Sequence, residues 1–334
     1  MVEPFWQDYN ESMLETEQNV SSSLKVSKRC DIHIHVVGDA ADGCYISESL
    51  LRKTWFRLMT SRIGIKSPSE YVSRLVQYLK ESPIDVGVIL AIDAIYDEKG
   101  DLKSSTSFYI PNSFIFKISS QYPELLPGVS IHPNRRDALE DIDRCAESGA
   151  VLVKWIPNAQ GIDPSNKKYT SFYRKLANYK LPLLSHTGYE FTLPVLDHGL
   201  GNPDKLRLPL EEGVTVIAAH SGISYSGFST KNMKTWLTMI KQYPNLYGDI
   251  AASSIGIVSY YLVRLLKDEE VCKRLVNGSD FPVPVLKSLS DIFVKSNPFT
   301  RDYDIKSRSG VPQSVFHRGF MLLRHPKPNE CLIT

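Results

Sequence analysis

Eight short runs of apolar and β-branched residues recur along this chain, most of them separated by a segment long enough for a helix. They begin near Cys30 (CDIHIHVV), Asp85 (DVGVILAI), Leu125 (LLPGVSIH), Ala150 (AVLVKWI), Pro182 (PLLSH), Val214 (VTVIAAH), Asn245 (NLYGDIA) and Lys273 (KRLVNGSD). From the third run onward the starts lie 25, 32, 32, 31 and 28 residues apart, the length of one strand, one helix and two turns. Apolar residues at three- and four-residue spacing predict helices over Asp137 to Ser148, Tyr169 to Tyr179 and Thr230 to Tyr243. Eight such units favour an α/β fold of the closed (β/α)8 TIM-barrel type over an open doubly wound sheet.

The barrel is expected to span residues 29–334 as one domain. An extension over residues 1–28 precedes it, with five acids and no Lys or Arg in its first 24 positions. The first two intervals between runs, 55 and 40 residues, are longer than the rest, so the loops after strands one and two carry insertions. In a barrel those loops lie over the active-site mouth. The first insertion, Ala40 to Ser82, holds Arg52, Lys53, Trp55, Phe56, Arg57 and Arg62. Such a segment reads either as a lid facing an anionic or aromatic substrate or, more simply, as an outer helix with a solvated basic face.

Composition narrows the function. Lys plus Arg number 39 against 37 Asp plus Glu, a net charge of +2, and no basic stripe interleaved with aromatics is present, so nucleic acid is not an expected partner. No apolar stretch approaches the ~20 residues that span a bilayer, and the start lacks a secretory pattern. The five cysteines are scattered without a CxxC pair, which fits a reducing cytoplasm. The expected partner is a small-molecule substrate, with pairing through outer helices into a homo-oligomer open to such a barrel.

Chemically active residues stand at the C-terminal ends of the predicted strands. Strand one holds Asp31, His33 and His35, strand four ends at Lys154, strand five at His186, strand six at His220 and strand eight at Asp280. Strand alternation puts His33 and His35 on one face, into the barrel, with Ile32 and Ile34 pointing outward. A single histidine at a strand end is more often a hydrogen-bonded structural residue. Six residues of ligand type from five strands, all at the catalytic end, instead suit a divalent first-row metal, zinc first.

The segments DIHIH, VLVKW, PLLSHTG, VIAAHSG and NGSDFP together resemble the amidohydrolase superfamily, in particular its amidohydrolase-2 branch, from about Cys30 to Leu323. The resemblance implies that His33, His35 and Asp280 ligate one metal and that His186 and His220 ligate a second. It further implies Lys154 as a bridge between the two ions, which requires carboxylation because an ammonium cannot be a ligand. The alternative for Lys154 is a plain ammonium that binds a substrate carboxylate, as in the one-metal decarboxylases and hydratases of this branch, where His220 would transfer protons or polarise substrate. One or two ions per chain therefore stay open, two being expected for a hydrolase and one for the lyase alternative. The implied activity is hydrolysis of a small-molecule amide, lactone or ester, with Asp280 as proton shuttle; the alternative is a mononuclear lyase acting on an aromatic or unsaturated carboxylic acid.

Further substrate-contact candidates are His132, Tyr189 and Glu190, followed by Asn158 and Gln160. His132 is equally well read as structural, Glu190 also as a group bracing a ligand, and Asp31 as structural. His198, His317 and His325 lie outside the strand-end pattern. A phosphate loop, a serine-hydrolase elbow at GISYSG, HExxH and GxGxxG are not matched. A non-catalytic barrel is the remaining alternative, disfavoured by the complete ligand series.

Overall fold

The computed structural model describes residues 28–53, 67–223, 230–251, 253, 258–283 and 313–323. All eight predicted strands form, and all lie in one parallel sheet. In chain order they are β1 (Cys30–His35), β2 (Val86–Leu90), β3 (Leu125–Val129), β4 (Leu152–Trp155), β5 (Leu183–His186), β6 (Val216–Ala219), β7 (Leu246–Asp249) and β8 (Leu275–Val276). Each pairs with its sequence neighbour. The circle closes where the chain leaving β8 meets β1: Ile34 bridges Phe281, the Ile32 amide donates to Asn277 O at 3.0 Å and the His35 amide donates to Phe281 O at 2.7 Å. The fold is a (β/α)8 barrel.

Helices follow the strands as α1 (Pro68–Lys80), α2 (Asn112–Gln121), α3 (Ala138–Glu147), α4 (Thr170–Tyr179), α5 (Arg207–Glu211), α6 (Lys231–Met239), α7 (Val258–Leu265) and α8 (Gln313–Leu323). The three helices expected from periodicity are therefore present, each shorter by one to several residues. The start of α1 shows why a helix forms there. Ser67 accepts from the Glu70 amide in the Ser-x-x-Glu pattern and Pro68 fills the first turn, where its missing N–H costs nothing. Tyr71, Val72, Leu75, Val76 and Leu79 then fall on one stripe and are buried against the sheet. Tyr71 continues inward, donating its hydroxyl to His35 O at 2.7 Å.

Two apolar layers result from the period of two along each strand. Ile34, Ile89, Val129, Val153, Leu183, Val216, Ala218, Leu246 and Leu275 face the helices. Val86, Val88, Leu90, Leu152, Leu184, Ile217 and Val276 form a separate cluster that fills the barrel. Burying each such side chain contributes roughly 1.5–3 kcal/mol. The same period makes the residue two beyond Leu152 Lys154, and the residue two beyond Leu184 His186, so the floor of the barrel fixes which side chains rise above it.

Ile34 lies in the outer layer, its Cδ1 packed against Gly87, and Ile32 faces α8, its Cγ2 beside Gly319, so both point away from the barrel centre as alternation requires. A register shift interrupts the pairing of β1 with β2 between Asp31 and Ile34.

The two insertions meet. Tyr45–Ile46 after β1 and Phe108–Tyr109 after β2 pair as a short antiparallel ribbon, Tyr45 opposite Tyr109. Of the basic aromatic segment, Trp55, Phe56, Arg57 and Arg62 lie outside the described residues; Arg52 is exposed and pairs with Glu48 at 2.6 Å. The expected 1–28 extension is described only at Lys28. Among the described residues no helix is long and apolar enough to cross a membrane.

Candidate active site

His33 and His35 rise from the end of β1, and Asp280 follows β8. Asp280 Oδ1 lies 3.2 Å from His33 Nε2 and 3.2 Å from His35 Nε2. These three ligand-type atoms all fall within 4.8 Å of one another, the spacing at which one cation could be held by all three. The neighbouring polar atoms support that use: His35 Nδ1 and His186 Nε2 are buried without a hydrogen-bond partner. Buried polar atoms are rarely left so, and an unseen ligand is one reason for it.

The rest of the predicted set closes around the triad. Lys154 Nζ is 2.9 Å from His33 Nε2, His220 Nε2 is 3.2 Å from His186 Nδ1, and the His33 and His220 rings lie 5.4 Å apart. Glu190 stands behind His186, its Oε2 3.5 Å from Nδ1. Its other oxygen accepts from the amides of Thr192 and Leu193 and from the Thr192 hydroxyl, which fixes the carboxylate in place.

Burial sets the protonation states. It lowers His33 and pushes His186 down to about 3, so both imidazoles are neutral at neutral pH. It also pushes Lys154 down to about 8, against the pull of Asp280, Asp249 and Glu190. For Asp280 burial acts upward, but the His33 and His35 imidazoles outweigh it and hold the carboxyl below the usual range. The centre thus offers a neutral His33 imidazole and an ionised Asp280 carboxylate, the protonation states that metal ligation requires.

Backbone strain is concentrated at the same place. His220 (φ 64°), Ser221 (φ 51°) and Asp280 (φ 63°) occupy the left-handed region, which for an L-residue costs about 1–2 kcal/mol. Local bonds hold them there. The His220 amide donates to Asp249 Oδ1 at 2.6 Å, Ser221 Oγ donates to Asp249 O at 2.7 Å, and the Asp280 amide donates to His33 O at 2.9 Å. Turning the chain at the strand end aims both side chains back over the barrel.

Comparison with known proteins was made against this geometry. The family model described as Amidohydrolase (Amidohydro_2) matches residues 30–302. The chain belongs to the amidohydrolase family. No match was found among curated proteins. Among solved structures, the amidohydrolase fold is shared with an uncharacterized TIM-barrel protein from Bordetella bronchiseptica at 14% identity and TM-score 0.61, covering 89% of this chain and 99% of that one. A probable 2-pyrone-4,6-dicarboxylic acid hydrolase from Acinetobacter baumannii, with citric acid bound, is similar at 14% identity and TM-score 0.56, covering 88% and 99%. A 2,6-dihydroxybenzoate decarboxylase from Rhizobium is similar at 14% identity and TM-score 0.52, covering 89% and 99%. At these identities the likeness is one of fold, shared by a probable hydrolase and a decarboxylase alike.

The remaining candidates take different places in this amidohydrolase. His132 accepts from the Asn134 amide at Nδ1 and has Nε2 3.1 Å from Gln160 O, so backbone groups occupy both ring nitrogens. Gln160 is likewise engaged, with Ile156 N and Asp93 O. Asn158 donates to Gly188 O at 2.9 Å while its buried Oδ1 has no partner. Tyr189 is 41% exposed and stacks on Phe191, with its ring 5.0 Å from that of His198. Asp31 accepts from the amides of His33 and Ser279, a bracing role. The side chain of His317 and the whole of His325 lie outside the described residues.

Sequence reasoning passed over one residue. Asp249, at the end of β7, is fully buried and reaches both His33 and His220. Its signal was the same strand-end position that marked the others, in NLYGDIA, but it belongs to no motif.

Proposed function

We propose that this amidohydrolase is a metal-dependent hydrolase that opens an amide, lactone or ester bond of a small molecule, working from one divalent ion held by His33, His35 and Asp280. The observation that carries this reading is the convergence of those three ligand atoms within 4.8 Å. When bound, the ion supplies Lewis acidity to the substrate carbonyl and acidifies an attacking water. Two imidazoles and a carboxylate suit zinc best among common ions.

The chain's own groups supply the rest. Asp280 Oδ1 takes the proton of the attacking water and returns it to the leaving group, a shuttle that requires a carboxylate ionised beforehand. His186 and His220, in contact with each other, form the wall opposite β1 and orient the substrate carbonyl. Glu190 fixes the His186 ring. Lys154, buried and 2.9 Å from His33, is an amine placed to meet a substrate carboxylate. The four cysteines among the described residues are buried and free, which suits a reducing compartment such as the cytoplasm.

A second reading, decarboxylation or hydration of an unsaturated or aromatic acid, is favoured by a specific observation: the described residues hold one three-ligand cluster and an amine beside it. Zn2+-loaded protein given a panel of lactones, esters and amides beside a panel of carboxylic acids separates the two. Ring opening or ester cleavage that is lost on chelation supports the hydrolase; CO2 release or water addition without any hydrolysis overturns it.

A further inference from the structure

We infer that Asp249 is a positioning residue that selects the tautomer of His33 and, with its other oxygen, fixes the turn carrying His220. The inference rests on the reading of His33 as a metal ligand and adds a determinant outside the ligand set.

Asp249 Oδ2 lies 2.8 Å from His33 Nδ1, with both side chains buried. A carboxylate only accepts, so the proton of this neutral imidazole sits on Nδ1 and the lone pair on Nε2. The opposite side of the ring agrees. Lys154 Nζ is 2.9 Å from Nε2, and an ammonium only donates, so Nε2 is again the acceptor. Nε2 also lies 3.2 Å from Asp280 Oδ1, itself an acceptor, so with the proton held on Nδ1 two lone pairs face each other, an arrangement that a cation between them would relieve.

Asp249 Oδ1 has separate work. It accepts from the His220 amide at 2.6 Å and from the Ala251 amide at 3.1 Å, and so braces the left-handed turn after β6. One carboxylate on β7 therefore ties the ends of β1 and β6 together. The chain after β8 passes close by: a Cβ at Gly278 would stand 2.9 Å from His33 Cβ and 3.4 Å from Asp249 Oδ2, so glycine there leaves the space that both side chains use.

The substitution Asp249→Asn separates the two roles. Its carbonyl can still accept from His220 and Ala251, but its NH2 now donates to His33 Nδ1. That forces the proton onto Nε2 and removes the lone pair. Bracing a ligand in this way is generally worth about tenfold to a hundredfold in metal affinity.

The test has two measurements. Histidine 15N spectra of the metal-free, unsubstituted protein should show His33 protonated at Nδ1 and bare at Nε2, and in D249N the reverse. Titration with Zn2+ alone should then show binding weakened in D249N by about tenfold to a hundredfold. A proton on Nε2 in the unsubstituted protein, or a folded D249N that binds Zn2+ within twofold of it, overturns the inference. Should D249N not fold, the spectrum of the unsubstituted protein decides alone. Absence of Zn2+ binding by the unsubstituted protein would count against the metal reading, while the tautomer measurement would still decide the role of Asp249.

Discussion

Lys154 Nζ stands 2.9 Å from His33 Nε2, so a cationic amine occupies the lone pair that a metal at this centre would use. Bound metal must displace that amine and then share a buried site with it. Replacing Lys154 by Met removes both the competition and the repulsion. K154M is expected to bind Zn2+ at least about fivefold more tightly than the parent, a modest effect for a charge at this range. A carboxylated bridging Lys154 requires the opposite result, loss of metal in K154M, which calorimetric titration would show at once.

Asp280→Asn tests the proton shuttle. Asn tolerates the left-handed backbone that Asp280 adopts (φ 63°), and it fills the same volume, so the fold should survive with its melting temperature little changed. Without a carboxylate to carry the proton, kcat should fall by about 10²-fold to 10⁴-fold. Near-normal turnover in D280N would refute the mechanism.

The barrel itself was legible in the sequence because its signal is periodic. Eight apolar runs, evenly spaced from the third onward, name the strands from Cys30 to Val276, and strand alternation places Lys154 and His186 above the inner residues Leu152 and Leu184. What alternation could not supply was the register shift in β1, since a bulge is a backbone event with no residue type of its own here. Asp249 escaped for a different reason. Its role exists only through partners 216 and 29 residues away, and no local pattern records such contacts.

Gly278→Ala should disturb the site without touching any ligand-type side chain. A methyl group there would stand 2.9 Å from His33 Cβ, closer than such atoms normally approach, so β1 or the chain after β8 must shift. Overpacking of this kind costs about 1–3 kcal/mol of stability. The expected pattern is a lowered denaturation midpoint together with weaker Zn2+ binding. An alanine variant with unchanged affinity would show that His33 is less tightly held than its surroundings indicate.

His132 makes stability depend on pH. Burial pushes its imidazole down to about 4, with the Gln160 carbonyl opposing and the Arg135 charge adding to the shift. The unfolded state keeps the ordinary value near 6.5 and so takes up a proton first as pH falls. The native state therefore has the full benefit of neutral His132 above about pH 6.5 and loses it progressively down to about pH 4, on the order of 3 kcal/mol in all. Urea denaturation of the metal-free protein at pH 7.5 and pH 5 should show that loss, and His132→Gln should flatten the slope. Equal slopes in the two proteins would remove His132 from the account.

The central claim is that His33, His35 and Asp280 hold one divalent ion. Elemental analysis of protein purified without chelator, alongside the double variant H33A/H35A, tests it most directly. One ion per chain in the parent and a negligible fraction in the variant is the predicted result. Two ions per chain would contradict the single centre and restore the bridged pair, and equal metal in both proteins would show that the ion sits elsewhere.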